Sequence, residues 1–251
     1  MPSAQKPPLR VLCLGDSLTA GSPSVHPYAC KLRDLLKAAF ATHDVHVAND
    51  GMPGDMVSDS RGTFHKRMKG LWRQREFEWT IVLGGTNDLV WSCRPDTLLN
   101  SLKELWDIPL SHGGKVLALT IPEINADIPG LEFSRKAVNL GIKNYKKQNF
   151  YAFDLAAAVP YCDMPAMDRI KYWDPDGVHF TRDGYDLIGQ KVAECLIRIL
   201  HLEEAQSTEI SSIVTDARQR RMIEELIFEE ERGDPKLLSQ GYIIVRKRDL
   251  D

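Results

Sequence analysis

The chain has 251 residues, 43% of them hydrophobic, enough for one good-sized core with an appendage and unfavourable to a multi-domain reading. A formal net charge of −3, with Lys and Arg interspersed among Asp and Glu, leaves no electrostatic footprint for nucleic acid; a small, neutral or weakly polar substrate fits better. No apolar run approaches the roughly 20 residues of a membrane span, Val11 to Leu14 is too short for a signal-peptide core, and the five cysteines are scattered without CxxC spacing, so stable membrane insertion is not expected and a reducing, intracellular, cytoplasmic location is.

Arg10-Val11-Leu12-Cys13-Leu14-Gly15 is an apolar run stopped by glycine, and Tyr28, Leu32, Leu35, Leu36, Ala39 and Phe40 come after it at helical spacing. Val45 to Ala48 reads as a second strand, Met68 to Arg75 as a helix, and Trp79 to Leu83 as a buried strand ending in Gly84-Gly85. Leu98, Leu102, Leu105 and Trp106 make an apolar helical face, Val116 to Ile121 a strand stopped by Pro122, and Ala137, Leu140, Ile142 and Tyr145 a poorer helix. Phe150 to Leu155 closes the strand set, and Thr181 caps a last helix carrying Tyr185, Ile188, Val192, Leu196 and Leu200. Five strands alternating with helices predict an α/β protein with a mostly parallel, doubly wound sheet in a three-layer α/β/α sandwich.

From Glu203 onward the composition shifts. Glu203 to Arg232 is rich in Glu and Arg, and Ile210, Ile213, Met222, Ile223, Leu226 and Ile227 supply only a narrow apolar stripe, which predicts a polar helix or helix pair. Gly233-Asp234-Pro235 breaks it, and Tyr242-Ile243-Ile244-Val245 reads as a short strand. The expected division is therefore 1–202 as the principal domain and 203–251 as a charged extension, either packed on that domain or forming a homodimer contact.

Doubly wound sheets bind ligands beyond the carboxyl ends of their strands, so the segments there are where chemistry is sought. The first strand runs into Gly15-Asp16-Ser17-Leu18-Thr19-Ala20-Gly21, the second into Asn49-Asp50-Gly51-Met52-Pro53-Gly54, and the third into Gly84-Gly85-Thr86-Asn87-Asp88. Before the last helix stands Asp174-Pro175-Asp176-Gly177-Val178-His179-Phe180-Thr181, with a carboxylate three residues ahead of a histidine. Taken singly, Ser17 reads as a helix cap, Gly51 and Asn87 as turn residues, and His179 as a surface or capping histidine.

Together, and in this order, they resemble the GDSL or SGNH hydrolase superfamily. Ser17 in GDSLTAG, Gly51 in NDGMPG, Asn87 in GGTND and His179 in DGVHF match its four lettered positions, Asp176 matches the acid three before the histidine, and the resemblance covers Val11 to about Leu200. It implies a flavodoxin-like fold, Ser17 as nucleophile, His179 as general base and then acid, and Asp176 as the carboxylate that orients the imidazole. It also implies an oxyanion hole built from the Ser17 and Gly51 backbone N–H groups and the Asn87 side-chain amide. The chemistry agrees, because a serine hydroxyl needs an adjacent base and a tetrahedral oxyanion needs preorganised donors. Asp174 competes for the role of the acid, with the spacing favouring Asp176; Asp16 and Asp88 read as loop organisers.

There is no GxSxG elbow, phosphate-binding GxxxxGK[ST] loop, GxGxxG fingerprint or HExxH helix, and the remaining histidines show no ligand spacing. The implied reaction calls for no metal and no organic cofactor. Met52, Pro53, Val90, Trp91, Ile121, Pro122 and Val178 are the expected walls of the acyl pocket, and their bulk favours short or medium acyl esters. Two alternatives stand beside an esterase: acyl transfer to an alcohol or sugar deacetylation on the same residues, and, from a different class, a catalytically silent binding module.

Overall fold

The computed structural model describes residues 6–58, 62–74 and 77–205. The chain enters on β1 (Pro8–Gly15), passes a single-turn helix α1 (Ser17–Ala20), and crosses through α2 (Tyr28–Ala39) to β2 (Asp44–Gly51). α3 (Phe64–Gln74) precedes β3 (Trp79–Leu83), α4 (Thr86–Val90) and α5 (Pro95–Ser111) precede β4 (Lys115–Leu119), and α6 (Leu131–Asn144) precedes β5 (Phe150–Phe153). Two short helices, α7 (Leu155–Ala158) and α8 (Ala166–Tyr172), lead to a last helix, α9, which starts at 182.

The strands form one sheet in the order β2-β1-β3-β4-β5, and every neighbouring pair is parallel. This is the α/β class expected from the alternation of strands and helices. β3 is buried along its whole length and β1 nearly so, as parallel strands covered on both faces must be. Alternation sorts their side chains: Leu12, Leu14, Val82, Val116 and Ala118 join a cluster with Phe64 and Met68 of α3, Leu102 and Trp106 of α5, and Val138 and Ile142 of α6. Cys13 points the other way, to Tyr28 of α2, and α9 packs there too, with Gly189 against the Tyr28 carbonyl. Helices on both faces make the three layers.

Register aligns the strand ends. Gly15 of β1 lies beside Gly51 of β2 on one side and Leu83 of β3 on the other, so the segments carrying Ser17, Gly51 and Asn87 leave the sheet at one level. α9 opens as expected: the Thr181 carbonyl accepts from Tyr185 N–H at 2.9 Å and its hydroxyl from Gly184 N–H at 3.1 Å.

Other boundaries differ from expectation. The fourth strand stops at Leu119 rather than Ile121, because the Asn139 side chain of α6 takes over both backbone groups of Ile121, at 2.8 and 2.9 Å. The fifth stops at Phe153 because Asp154 caps α7 through the Ala157 N–H. α1, α4, α7 and α8 are too short for an apolar period to show, and α8 buries no residue at all.

The chain divides into two units, Met1–Ile197 and Arg198–Asp251. In the second only 198–205 are described, and they are helical. The expected helix pair, its break and the strand Tyr242 to Val245, with the homodimer contact assigned to them, lie outside the described residues. Among the described residues no helix is long and apolar enough to cross a membrane.

Candidate active site

Ser17 sits where β1 gives way to α1. Asp16 stands ahead of it as the cap, with Oδ1 accepting from Leu18 N–H at 3.0 Å, so the chain bends sharply between strand and helix. Ser17 is 8% exposed, and its hydroxyl lies 2.9 Å from His179 Nε2 across 162 positions of sequence. The other ring nitrogen, His179 Nδ1, is 2.6 Å from Asp176 Oδ2.

The turn carrying Asp176 and His179 is organised by its own backbone. Asp176 Oδ1 accepts the N–H groups of Val178 and His179 at 2.8 and 2.9 Å, leaving Oδ2 for the ring. Burial pushes the Asp176 carboxyl up, but these N–H groups and the ring outweigh it and hold the group below the usual carboxylate range. Asp174, the competitor, braces the turn: its N–H donates to the His179 carbonyl, its carbonyl accepts from Gly177 N–H, and its carboxylate accepts from Asp176 N–H at 3.2 Å. Gly177 turns the chain in the left-handed region at φ +70°. Trp173 and Phe180, both buried, flank the turn and pack against each other with ring centroids 4.1 Å apart, which anchors it.

Gly51 has no room for a side chain. A Cβ there would meet the Ala20 nitrogen at 2.1 Å, so β2 passes directly under α1 and glycine is required by backbone approach. Asn87, in the first turn of α4, donates from Nδ2 to the Asp55 carbonyl at 2.9 Å. Asp88 organises its loop: Oδ2 accepts from Val57 N–H at 2.9 Å, and Oδ1 from the Ser58 N–H and hydroxyl at 2.8 and 2.6 Å.

The expected pocket walls divide. Trp91 is 70% exposed at the end of α4, Met52 and Pro53 are also exposed, and Val90 and Val178 are half-buried. Ile121 is different: it is fully buried in the cluster under the sheet, beside Leu98 and Leu131, so it is a core residue and not a wall. Pro122 is buried as well. Neighbouring Asn125, which no motif marks, does reach the site, its N–H donating to the Gly177 carbonyl at 2.9 Å. Arg67 and Asp55 are likewise unmarked in the sequence. They meet through tertiary contacts at the strand ends, and no local pattern announces them.

Asp16 carries a second property. It is fully buried, with no hydrogen-bond partner for Oδ2 among the described residues; burial pushes its carboxyl up to about 7, opposed by the Leu18 N–H, reinforced by Asp88 and opposed by His179. Between pH 4 and 7 Asp16 in the folded protein therefore keeps a proton that it has lost in the unfolded chain, and the contribution of this group to stability falls with rising pH before levelling above 7. Asp16→Asn keeps the cap without the acid. Its stability relative to the unmodified protein is expected to rise by on the order of 4 kcal/mol between pH 4 and pH 8. Urea unfolding of both proteins at the two pH values measures it, and an unchanged difference rejects it.

Among the described residues no group of three or more His, Cys, Asp or Glu is arranged to hold a metal ion. Residues 13–187 match the model of the GDSL-like lipase/acylhydrolase family. The chain belongs to that family. It is accordingly a carboxylic ester hydrolase.

Solved structures share the fold of this family member. A lipolytic protein of the G-D-S-L family from Veillonella parvula DSM 2008 is 23% identical, with a TM-score of 0.57 over 74% of this chain and 97% of its own. A carbohydrate esterase family 3 protein from Talaromyces cellulolyticus is 15% identical, with a TM-score of 0.59 over 77% and 98%. A psychrotrophic esterase from Pseudoalteromonas sp., solved inhibited by monoethylphosphonate, is 16% identical, with a TM-score of 0.60 over 76% and 98%. At these identities the likeness is one of fold. No curated protein matches the chain in sequence.

Proposed function

We propose that the protein hydrolyses carboxylic esters through an acyl-enzyme on Ser17. The observation that carries this reading is the continuous relay from the Ser17 hydroxyl to His179 Nε2 at 2.9 Å and from His179 Nδ1 to Asp176 at 2.6 Å. His179 takes the hydroxyl proton as Ser17 Oγ attacks the ester carbonyl carbon, and Asp176 stabilises the imidazolium and fixes its tautomer. The Ser17 and Gly51 N–H groups and the Asn87 amide receive the oxyanion. His179 then protonates the departing alkoxide, the alcohol leaves, and a water molecule deprotonated by His179 cleaves the acyl-enzyme to regenerate the serine.

The substrate is a small or medium acyl ester. Trp91, Met52 and Val178 stand close in sequence to Asn87, Gly51 and His179, and bulky side chains beside the acyl group disfavour long chains. The cysteines, scattered without CxxC spacing, fit a reducing, cytoplasmic setting. On p-nitrophenyl acetate, butyrate, octanoate and palmitate, kcat/KM is expected to peak at acetate or butyrate; a higher value on palmitate than on acetate rejects the short-chain assignment. Labelling by a fluorophosphonate that disappears in Ser17→Ala supports the acyl-enzyme, and no labelling of the intact protein favours a silent binding module. An acceptor alcohol or an acetylated sugar would use the same acyl-enzyme, and competition between methanol and water for the acyl group measures that partition.

A further inference from the structure

The three donors proposed for the oxyanion belong to separate segments: Ser17 comes after β1, Gly51 ends β2, and Asn87 lies in α4. One side chain binds the first two segments and the loop that holds the third. Arg67, on α3, is only 11% exposed at its side chain. Its Nη2 donates to the Gly15 carbonyl at 2.9 Å, two residues before Ser17. Its Nη1 donates to the Asp50 carbonyl at 2.7 Å and the Asp50 carboxylate at 2.6 Å, one residue before Gly51. Nη2 and Nε both donate to Asp55 Oδ2, at 2.8 and 3.2 Å, and the Asp55 carbonyl accepts the Asn87 amide at 2.9 Å.

We propose that Arg67 is a positioning residue that aligns the three oxyanion donors with one another, an inference that rests on reading Ser17, Gly51 and Asn87 as those donors. The coupling is most direct at Gly51. The Asp50 carbonyl and the Gly51 N–H share one planar trans peptide unit and point in opposite directions, so a guanidinium on the oxygen aims the N–H. The same hydrogen bond polarises the unit and makes that N–H a stronger donor. At Asn87, the Asp55 carbonyl occupies one amide hydrogen and leaves the second for a ligand.

Asp55 is held in place for this purpose by more than Arg67. Its Oδ1 accepts the N–H groups of Met56 and Thr63 at 3.0 and 2.6 Å, and its Oδ2 accepts the Thr63 hydroxyl at 2.8 Å. Two carboxylates, Asp50 and Asp55, face the one guanidinium, so Arg67 acts through the backbone it holds and not as a free positive charge for an anion. A lysine keeps the charge, but its single nitrogen cannot span the Gly15 carbonyl, the Asp50 carbonyl and the Asp55 carboxylate in a fixed plane.

The test compares Arg67→Lys and Arg67→Gln on p-nitrophenyl butyrate, with each preparation's active sites titrated by fluorophosphonate. Per active site, kcat is expected to fall about 10-fold for the lysine and about 100-fold for the glutamine, with KM within about 3-fold. Inhibition by butylboronic acid, whose tetrahedral adduct presents an oxygen to the same donors, should weaken by the same factors. A merely structural role moves the melting temperature or the titrated fraction and leaves these per-site values alone. Asp55→Asn, which weakens the Arg67 pairing and keeps the Asp55 carbonyl, should show a smaller loss in the same direction, and it carries the test with Arg67→Lys if the glutamine variant does not fold. Wild-type kcat per site in the variants that fold overturns the proposal. An active Ser17→Ala would instead overturn the serine mechanism, whereas an inactive Ser17→Ala beside fully active Arg67 variants removes the Arg67 assignment alone.

Discussion

Ser17→Ala is expected to lower kcat on the order of 10⁶-fold, about 8 kcal/mol of barrier, with KM changed little. In the proposed mechanism the hydroxyl is the atom that forms the covalent bond, so its loss leaves His179 with no hydroxyl proton to take and the ester carbonyl with no attacking oxygen. The substitution removes one oxygen from a nearly buried site whose backbone is held independently, by the Asp16 cap and by the Gly21 N–H on the Ser17 carbonyl. The variant should therefore fold with a melting temperature close to the unmodified value. Pre-steady-state kinetics with excess p-nitrophenyl butyrate, beside thermal melts of both proteins, would check both halves, since an initial release of nitrophenol stoichiometric with enzyme should appear in the unmodified protein and vanish in the variant. Turnover surviving within 100-fold would mean that another group attacks the ester.

Asp176→Asn should lower kcat about 10⁴-fold, and Asp174→Asn less than about 10-fold. The geometry separates the two acids even though both lie in the same turn. Asp176 Oδ2 is 2.6 Å from the ring nitrogen, while the Asp174 carboxylate is engaged with the Asp176 N–H. An asparagine at 176 can still accept the N–H groups of Val178 and His179, so the turn survives, but the neutral amide neither compensates the imidazolium nor enforces the tautomer that leaves Nε2 free to accept a proton. Those N–H groups and the ring hold the Asp176 carboxyl below the usual carboxylate range, which favours the ionised form that partners the imidazolium. Steady-state kinetics of the two variants from pH 5 to 9 checks the pair; the reverse ranking would transfer the role to Asp174.

Much of the fold is legible along the chain because parallel strands buried on both faces are continuous apolar runs. Val11 to Leu14 and Trp79 to Leu83 can be read directly, and so can the wide apolar faces of α2 and α5. Short elements escape that reading. α1 and α4 have four and five residues, less than two turns each, and are defined by their caps and by their place just beyond a strand end rather than by a period. The ends of β4 and β5 depart from their apolar runs for a related reason: an amide from α6 and the cap of α7 compete for backbone groups that the run alone would assign to the sheet.

The candidate site divides along the same line. Ser17, Gly51, Asn87, Asp176 and His179 are identifiable because each lies just after a strand or just before a helix in a recognisable string, and backbone geometry at such junctions restricts which residues can stand there. The sequence by itself thus determined the order of the five strands and the longer helices, the residue types at the strand ends and the family. Only the tertiary structure decided that Ile121 belongs to the core, that Asn125 braces the histidine turn, and that Arg67 ties together the segments of the three proposed donors. Those contacts join residues far apart in the chain, 52 positions in the case of Arg67 and Gly15. Packing distances across a folded sheet create them, and no local pattern of residue types encodes a distance between segments that meet only after folding.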